Sequence, residues 1–146
     1  MRTSPNGIQF IKDREGFSPQ AYWDVSQYSI GYGHKIHGGD GLTPRSVITE
    51  NQATQLLYTD LAQVENVIKK LVTVALSQGQ FDALSDFVYN LGAGNFQSST
   101  LLQKLNAGDY AGAAEEFKRW IYAGGKPSVN LISRRTAEAN IFTGIA

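Results

Sequence analysis

The chain has 146 residues, of which 42% are hydrophobic and 11% aromatic, enough for one domain with a sizeable core. Only 18% are charged, which argues against a disordered chain. Thirteen basic residues cancel thirteen acidic ones, so the balance gives no support for strong nucleic-acid binding. The last part, residues 103–146, carries six bases against four acids. That reads either as a modest basic tail able to touch a polyanion or as ordinary solvated charge. With no cysteine, disulfides, thiolate chemistry and cysteine-based zinc sites are excluded. No apolar run reaches the roughly 18 residues that a membrane span needs. The stretch from Met1 to Lys12 is too short and interrupted for a signal peptide.

In chain order, Ser4-Pro5 reads as an N-cap followed by proline at the first helical position. The helix it opens is expected to run to Glu15, with Ile8 and Ile11 inward and Gly16 as its stop. From Phe17 to Leu42 glycines cluster, and Ala21-Tyr22-Trp23 and Tyr28-Ser29-Ile30 read as short strands of a small antiparallel sheet. Thr49-Glu50-Asn51-Gln52 is a capping box at the head of a long helix, in which Ala53, Leu57, Leu61, Val64 and Ile68 repeat at helical spacing. Ser77 to Gln80 is a second capping box, opening a helix that Gly92 closes. Ser99-Thr100 starts another helix ending near Gly108. Asp109 caps one from Tyr110 to about Trp120. Gly124-Gly125-Lys126-Pro127 reads as a loop, and a last helix spans about Ser133 to Phe142. The predicted fold class is α+β. One domain, 1–146, is expected: a sheet lobe over about 16–47, a linking helix over about 50–71, and a helical lobe over about 72–146 joined by helix 4–15.

The chemistry-bearing residues lie early. Glycoside cleavage needs an acid to protonate the leaving oxygen and a carboxylate to steady the cationic sugar or activate water. Glu15 ends the first helix beside Phe17, with Tyr22 and Trp23 nearby, so apolar cover for a protonated acid is available. Asp24 ends the first strand as a candidate second carboxylate. Ser29, in the second strand, is a candidate holder of water. Each of these residues alone is ordinary; an exposed Glu, a turn Asp and a strand Ser are common.

Glu15-Gly16-Phe17, Ala21-Tyr22-Trp23-Asp24 and Ser29-Ile30-Gly31-Tyr32-Gly33-His34 occur in order. They are followed by Gln80-Phe81-Asp82-Ala83-Leu84, Asn90-Leu91-Gly92, Ser99-Thr100-Leu101-Leu102, Leu105-Asn106-Ala107-Gly108-Asp109-Tyr110, Trp120 and Arg134-Arg135. The ordered set resembles the phage lysozymes, glycoside hydrolase family 24, over nearly the whole chain. The resemblance implies a lysozyme-like fold, with a small N-terminal antiparallel sheet lobe joined by a long helix to a mainly helical C-terminal lobe. It implies Glu15 as general acid, Asp24 as second carboxylate and Ser29 at the position of the family's threonine. The turn from Asp24 to Ser29 is one residue shorter than the family's spacing and lacks its common glycine. That bears on Ser29 more than on Glu15.

By the same resemblance, His34 is expected to pair structurally with Asp60. Tyr89, Asn90, Thr100, Glu116 and Arg134 are candidate substrate contacts, although Tyr89 reads equally well as core, and Arg134 or Arg135 is within reach of Glu15. His37 is expected to be exposed. Two histidines without an Asp/Glu cluster at ligand spacing give no case for a metal site. Trp23 and Trp120 read as packing groups.

The implied function is that of an endolysin: hydrolysis of the β-1,4 bond between N-acetylmuramic acid and N-acetylglucosamine in bacterial peptidoglycan, leading to lysis. No cofactor, nucleic acid or membrane partner is expected, and the chain is expected to be a monomer. It would stay in the host cytoplasm until released to the wall in the periplasm. Two other readings stand beside this one. A lytic transglycosylase needs a single acid, and Asp24 argues against it. A non-catalytic peptidoglycan-binding module would not need the intact Glu15 and Asp24.

Overall fold

The computed structural model describes residues 1–145; Ala146, the end of the expected helical lobe, lies outside the described residues. The fold is α+β, with a three-stranded antiparallel sheet, a two-stranded ribbon and seven α-helices among the described residues. The chain divides into two compact units, Gln9–Ala62 and Met1–Ile8 with the described residues from Gln63 onward. The unit boundaries fall inside α1 (Pro5–Glu15) and α2 (Glu50–Leu71). The sheet unit therefore takes in the end of α1 and the start of α2. No helix among the described residues is long and apolar enough to cross a membrane.

In the sheet unit, α1 stops at Gly16, whose N–H still reaches the Lys12 carbonyl at 2.9 Å. Strands β1 (Ser18–Asp24), β2 (Gln27–Gly31) and β3 (His34–Lys35) then form an antiparallel meander in the order β1-β2-β3. The register sets Tyr22 opposite Ser29, Trp23 opposite Tyr28, Asp24 opposite Gln27 and Ile30 opposite His34. Ile11, Ile30, Tyr32, Ile48, Ala53, Leu57 and Leu61 are buried here. The Thr49 capping box forms as the sequence predicts: Gln52 N–H donates to Thr49 Oγ1 at 3.2 Å, and Thr49 N–H to Gln52 Oε1 at 2.8 Å.

Two polar clamps fasten the meander to α2, each made by a buried side chain of the meander, Tyr32 or His34. Tyr32 Oη donates to Glu50 at 2.6 Å. That bond, helped by burial, pushes the phenol up to about 12. His34 Nδ1 lies 2.7 Å from Asp60 Oδ2, and its Nε2 lies 3.0 Å from Asp40 Oδ2. The hydrogen bond to Asp60 raises the imidazole pKa above its ordinary value; burial opposes this, and the Asp40 contact adds to the rise.

The helical unit is held by an apolar cluster from α2, α3 (Gln78–Leu91), α5 (Thr100–Asn106), α6 (Tyr110–Glu116) and α7 (Val129–Thr143). Phe87 is its hub, packing edge-on against Phe96, Phe117 and Trp120 at centroid distances of 6.2, 5.3 and 5.8 Å. Such pairs add about 0.5–1.5 kcal/mol each beyond burial. Within this unit the chain start is tied down by Thr3 N–H to Glu65 at 2.8 Å and Ser4 N–H to Asp82 at 2.8 Å.

Three elements of this unit differ from the sequence reading. A short helix, α4 (Ala93–Gln97), follows Gly92 where none was predicted; its five residues are too few to show a periodic pattern. The 124–127 segment is not an open loop but part of a ribbon, β4 (Tyr122–Ala123) and β5 (Lys126–Pro127). Gly124 and Gly125 form its two-residue turn with φ of 57° and 80°, the left-handed pair that such a turn requires. Finally, α7 begins at Val129, not near Ser133, because Ser128 Oγ accepts the Leu131 N–H at 3.3 Å. The exposed Val129 in its first turn conceals the start from a reading based on periodicity.

The β1–β2 hairpin turns through Val25, the one non-glycine residue with positive φ, 56°, among those described. Ser26 N–H reaches back to the Asp24 carbonyl at 2.5 Å, which makes this a tight γ-type turn. A β-branched side chain at positive φ stores strain of order 1–3 kcal/mol, and Val25 is 91% exposed, so burial offsets none of it. Val25→Gly therefore raises stability by about 1 kcal/mol after its added unfolded-state entropy is counted. Urea denaturation checks this; a midpoint unchanged or lowered in the variant contradicts it.

Candidate active site

All three sequence-predicted catalytic residues lie in the sheet unit. Glu15 is the last residue of α1, and its side chain lies over the α-carbon of Gly33, in the turn between β2 and β3. A Cβ on Gly33 would stand 2.5 Å from Glu15 Oε1 and 3.1 Å from its Cδ. Gly33 also has φ of 79°, so both the contact and the backbone call for glycine. Asp24 is the exposed end of β1, one residue before the strained turn. Ser29 sits in β2 directly opposite Tyr22. It is 0% exposed, and its Oγ has no hydrogen-bond partner.

Tyr22 links the two carboxylates electrostatically. Its phenol pKa is raised above the usual value, first by burial and then by the negative charges of Asp24 and Glu15. Both carboxylates therefore lie near enough to Tyr22 to act on its phenol. The sequence reading used Tyr22 only as apolar cover. Its alternation with Asp24 in β1, two residues apart and so on one strand face, was the available signal for a larger role. Phe17 supplies further cover, its ring 5.6 Å from that of Tyr32. Trp23, read as a packing group, is instead 60% exposed and packs edge-on against Tyr28 at 5.2 Å.

The predicted binding residues belong to the helical unit, where they have two kinds of environment. Thr100 and Glu116 line one hollow of about 430 Å³ together with Leu91, Arg119, Trp120 and Tyr122. The Glu116 carboxylate is buried and held by Lys104 at 2.8 Å and Arg119 at 3.1 Å. Asn90 and Arg134 are engaged internally. Arg134 grips Asp86 with two bonds of 2.9 and 2.6 Å, and Asn90 Oδ1 accepts from Arg135. Arg135 is fully buried, with its Nε 3.1 Å from Glu138 Oε1. Asp86 keeps its carboxyl below the usual range although burial opposes that, because Arg134 hydrogen-bonds to it and the Arg134 and Arg135 charges attract it. Tyr89 is half-buried at the end of α3. Among the described residues, the group with metal-ligand geometry is His34, His37 and Asp40, which includes none of the three catalytic candidates.

Comparison with known proteins identifies the family of the chain. The family model described as "Phage lysozyme" matches residues 12–138. The endolysin of Bacillus phage PZA is 44% identical over 97% of this chain, and the chain spans only 55% of that protein's length. The endolysin of Salmonella phage P22 is 39% identical, with 97% of this chain and 98% of that one aligned. In structure, the muramidase domain of SpmX from Asticaccaulis excentricus superposes with a TM-score of 0.88 at 32% identity, covering 97% of both chains. With the family model covering most of its length and relatives at this identity, the chain belongs to the phage lysozyme family.

Proposed function

We propose that this chain is an endolysin-type N-acetylmuramidase, hydrolysing the β-1,4 bond between N-acetylmuramic acid and N-acetylglucosamine in bacterial peptidoglycan. The observation that carries the reading is Glu15 seated on Gly33, in the same compact unit as Asp24 at the end of β1. In this reading Glu15 gives its proton to the glycosidic oxygen as the bond to the anomeric carbon breaks, and the leaving sugar departs as an alcohol. Asp24 stabilises the positive charge that develops on the sugar ring. Water then adds its hydroxyl to the anomeric carbon, and the proton it sheds returns to the carboxylate pair. The buried, unpartnered Ser29 Oγ is a hydrogen-bonding group available to hold that water. Thr100, Glu116 and the hollow they line, with Tyr89, Asn90 and Arg134, are proposed to serve the substrate, Asn90 and Arg134 chiefly by holding their helices in place. His34 and Asp60 are proposed as a structural pair. The whole chain acts as one catalytic domain and as a monomer, with no cofactor in the hydrolysis. It reaches the wall from the host cytoplasm on release.

The test is turbidity loss of outer-membrane-permeabilised bacteria, followed by analysis of the soluble products. Glu15→Gln keeps the shape and removes the proton, so clearing slows about a hundredfold or more while the fold is retained. Equal clearing by the two proteins removes Glu15 from the mechanism, and 1,6-anhydro ends in place of reducing ends turn the assignment to transglycosylation. Ser29→Ala separates stability from turnover. Deleting a buried hydroxyl that has no partner costs no hydrogen bond, so the melting temperature holds or rises, while loss of the positioned water slows turnover by about a hundredfold. A variant of unchanged rate shows that Ser29 holds no reacting water.

A further inference from the structure

We propose that His34, His37 and Asp40 form a binding site for one divalent transition-metal ion of the zinc class. The site lies in β3 and the turn after it, and it stands independently of the glycosidase reading. One ring nitrogen of His34, one of His37 and a carboxylate oxygen of Asp40 all lie within 4.8 Å of one another. His34 Nε2 is 3.0 Å from Asp40 Oδ2, and His37 Nε2 is 3.8 Å from that same oxygen. Ligands of a tetrahedral zinc at about 2 Å stand roughly 3.3 Å apart, so one separation is already close and the other needs a closure of about half an ångström.

The hydrogen bonds around the group decide which ring nitrogens offer lone pairs. His34 Nδ1 faces a carboxylate, Asp60, at 2.7 Å. His37 Nδ1 faces the Gly38 carbonyl at 3.0 Å. Both partners only accept, so both Nδ1 atoms carry the hydrogen, and in the neutral rings both Nε2 atoms are left as acceptors. In that form three lone-pair atoms face one another, and a metal ion would take the place that a proton on His34 Nε2 holds in its bond to Asp40. The His37 N–H bond to Asp40 and the His37 Nδ1 contact with the Gly38 carbonyl hold the second ring beside the same carboxylate.

The surroundings are those of a metal ligand set. Asp60 stands behind His34 as the carboxylate that orients a ligating imidazole. Asp40 is fixed as well: its Oδ2 accepts the His37 N–H at 3.0 Å and its Oδ1 the Leu42 N–H at 3.0 Å. Its side chain is 8% exposed and that of His34 6%, so two ligands are rigid. His37, 64% exposed and followed by Gly38-Gly39, is the movable third, with solvent free to supply a fourth ligand. Two imidazoles and one carboxylate suit zinc, nickel or copper better than magnesium or calcium. Spacing in the sequence gave no hint of this, because only the folded 37–42 turn brings Asp40 to both rings.

Chelator-stripped protein titrated with zinc chloride in a calorimeter tests the site, with magnesium chloride as control. The expected result is saturable binding of one zinc per chain, no binding of magnesium, and a melting temperature raised by about 5 °C at saturation. His37→Ala, which removes the exposed ligand and no core contact, melts like the wild type without metal and binds zinc at least tenfold more weakly. No saturable binding by the wild type, or equal binding by the variant, overturns the proposal.

Discussion

The sheet unit depends on one close approach, the Glu15 carboxylate lying against the bare α-carbon of Gly33. A single methyl group there would stand 2.5 Å from the carboxylate oxygen and displace it. The neighbouring features serve this contact. Gly16 ends α1 so that Glu15 is its last residue. Phe17 and Lys12 both lean on the Tyr32 ring. Tyr32 is in turn bonded to Glu50 at the head of α2. A general acid is useful only if it is held in place, and here the holding is done by backbone shape and a short chain of side-chain contacts.

The two units solve the problem of stability differently. The helical unit has an aromatic hub at Phe87 and a buried ionic group of Asp86, Arg134, Arg135 and Glu138. Buried ion pairs of this kind add little net stability but make loss of one partner costly, of order 3–5 kcal/mol, so they specify how α3 and α7 dock. The sheet unit has a smaller apolar core and relies on polar clamps, Tyr32 to Glu50 and His34 to Asp60 and Asp40. Its strained Val25 turn sits beside Asp24, a common place for stored strain in a protein with a catalytic task.

Much of the fold was legible because its signals are local. The Ser4, Thr49 and Ser77 caps, the helical repeat from Ala53 to Ile68 and the closing Gly92 each announce an element within a few residues. The missed features are those where tertiary context decides. Ala93–Gln97 is too short to show a period, and exposed Val129 hides the start of α7. The candidate site was legible in kind, since Glu15, Asp24 and Ser29 stand in family order. Its geometry was not. That Tyr22 senses both carboxylates and that Gly33 lies under Glu15 depend on how the strands and α1 fold together. The turn that carries Asp40 to His34 and His37 was invisible for the same reason.

The central claim is that Gly33 serves the Glu15 carboxylate and not merely the turn. Gly33→Ala compared with Gly41→Ala separates the two roles. Both glycines have positive φ, 79° and 75°, so both variants carry similar backbone strain of about 1–3 kcal/mol. Only Gly33→Ala meets an obstacle, and that obstacle is the movable end of Glu15; Gly41 has nothing within 4 Å. The account predicts comparable melting temperatures for the two variants, with wall-lytic activity kept in Gly41→Ala and reduced by about a hundredfold or more in Gly33→Ala. Equal activities in two equally stable variants would contradict it.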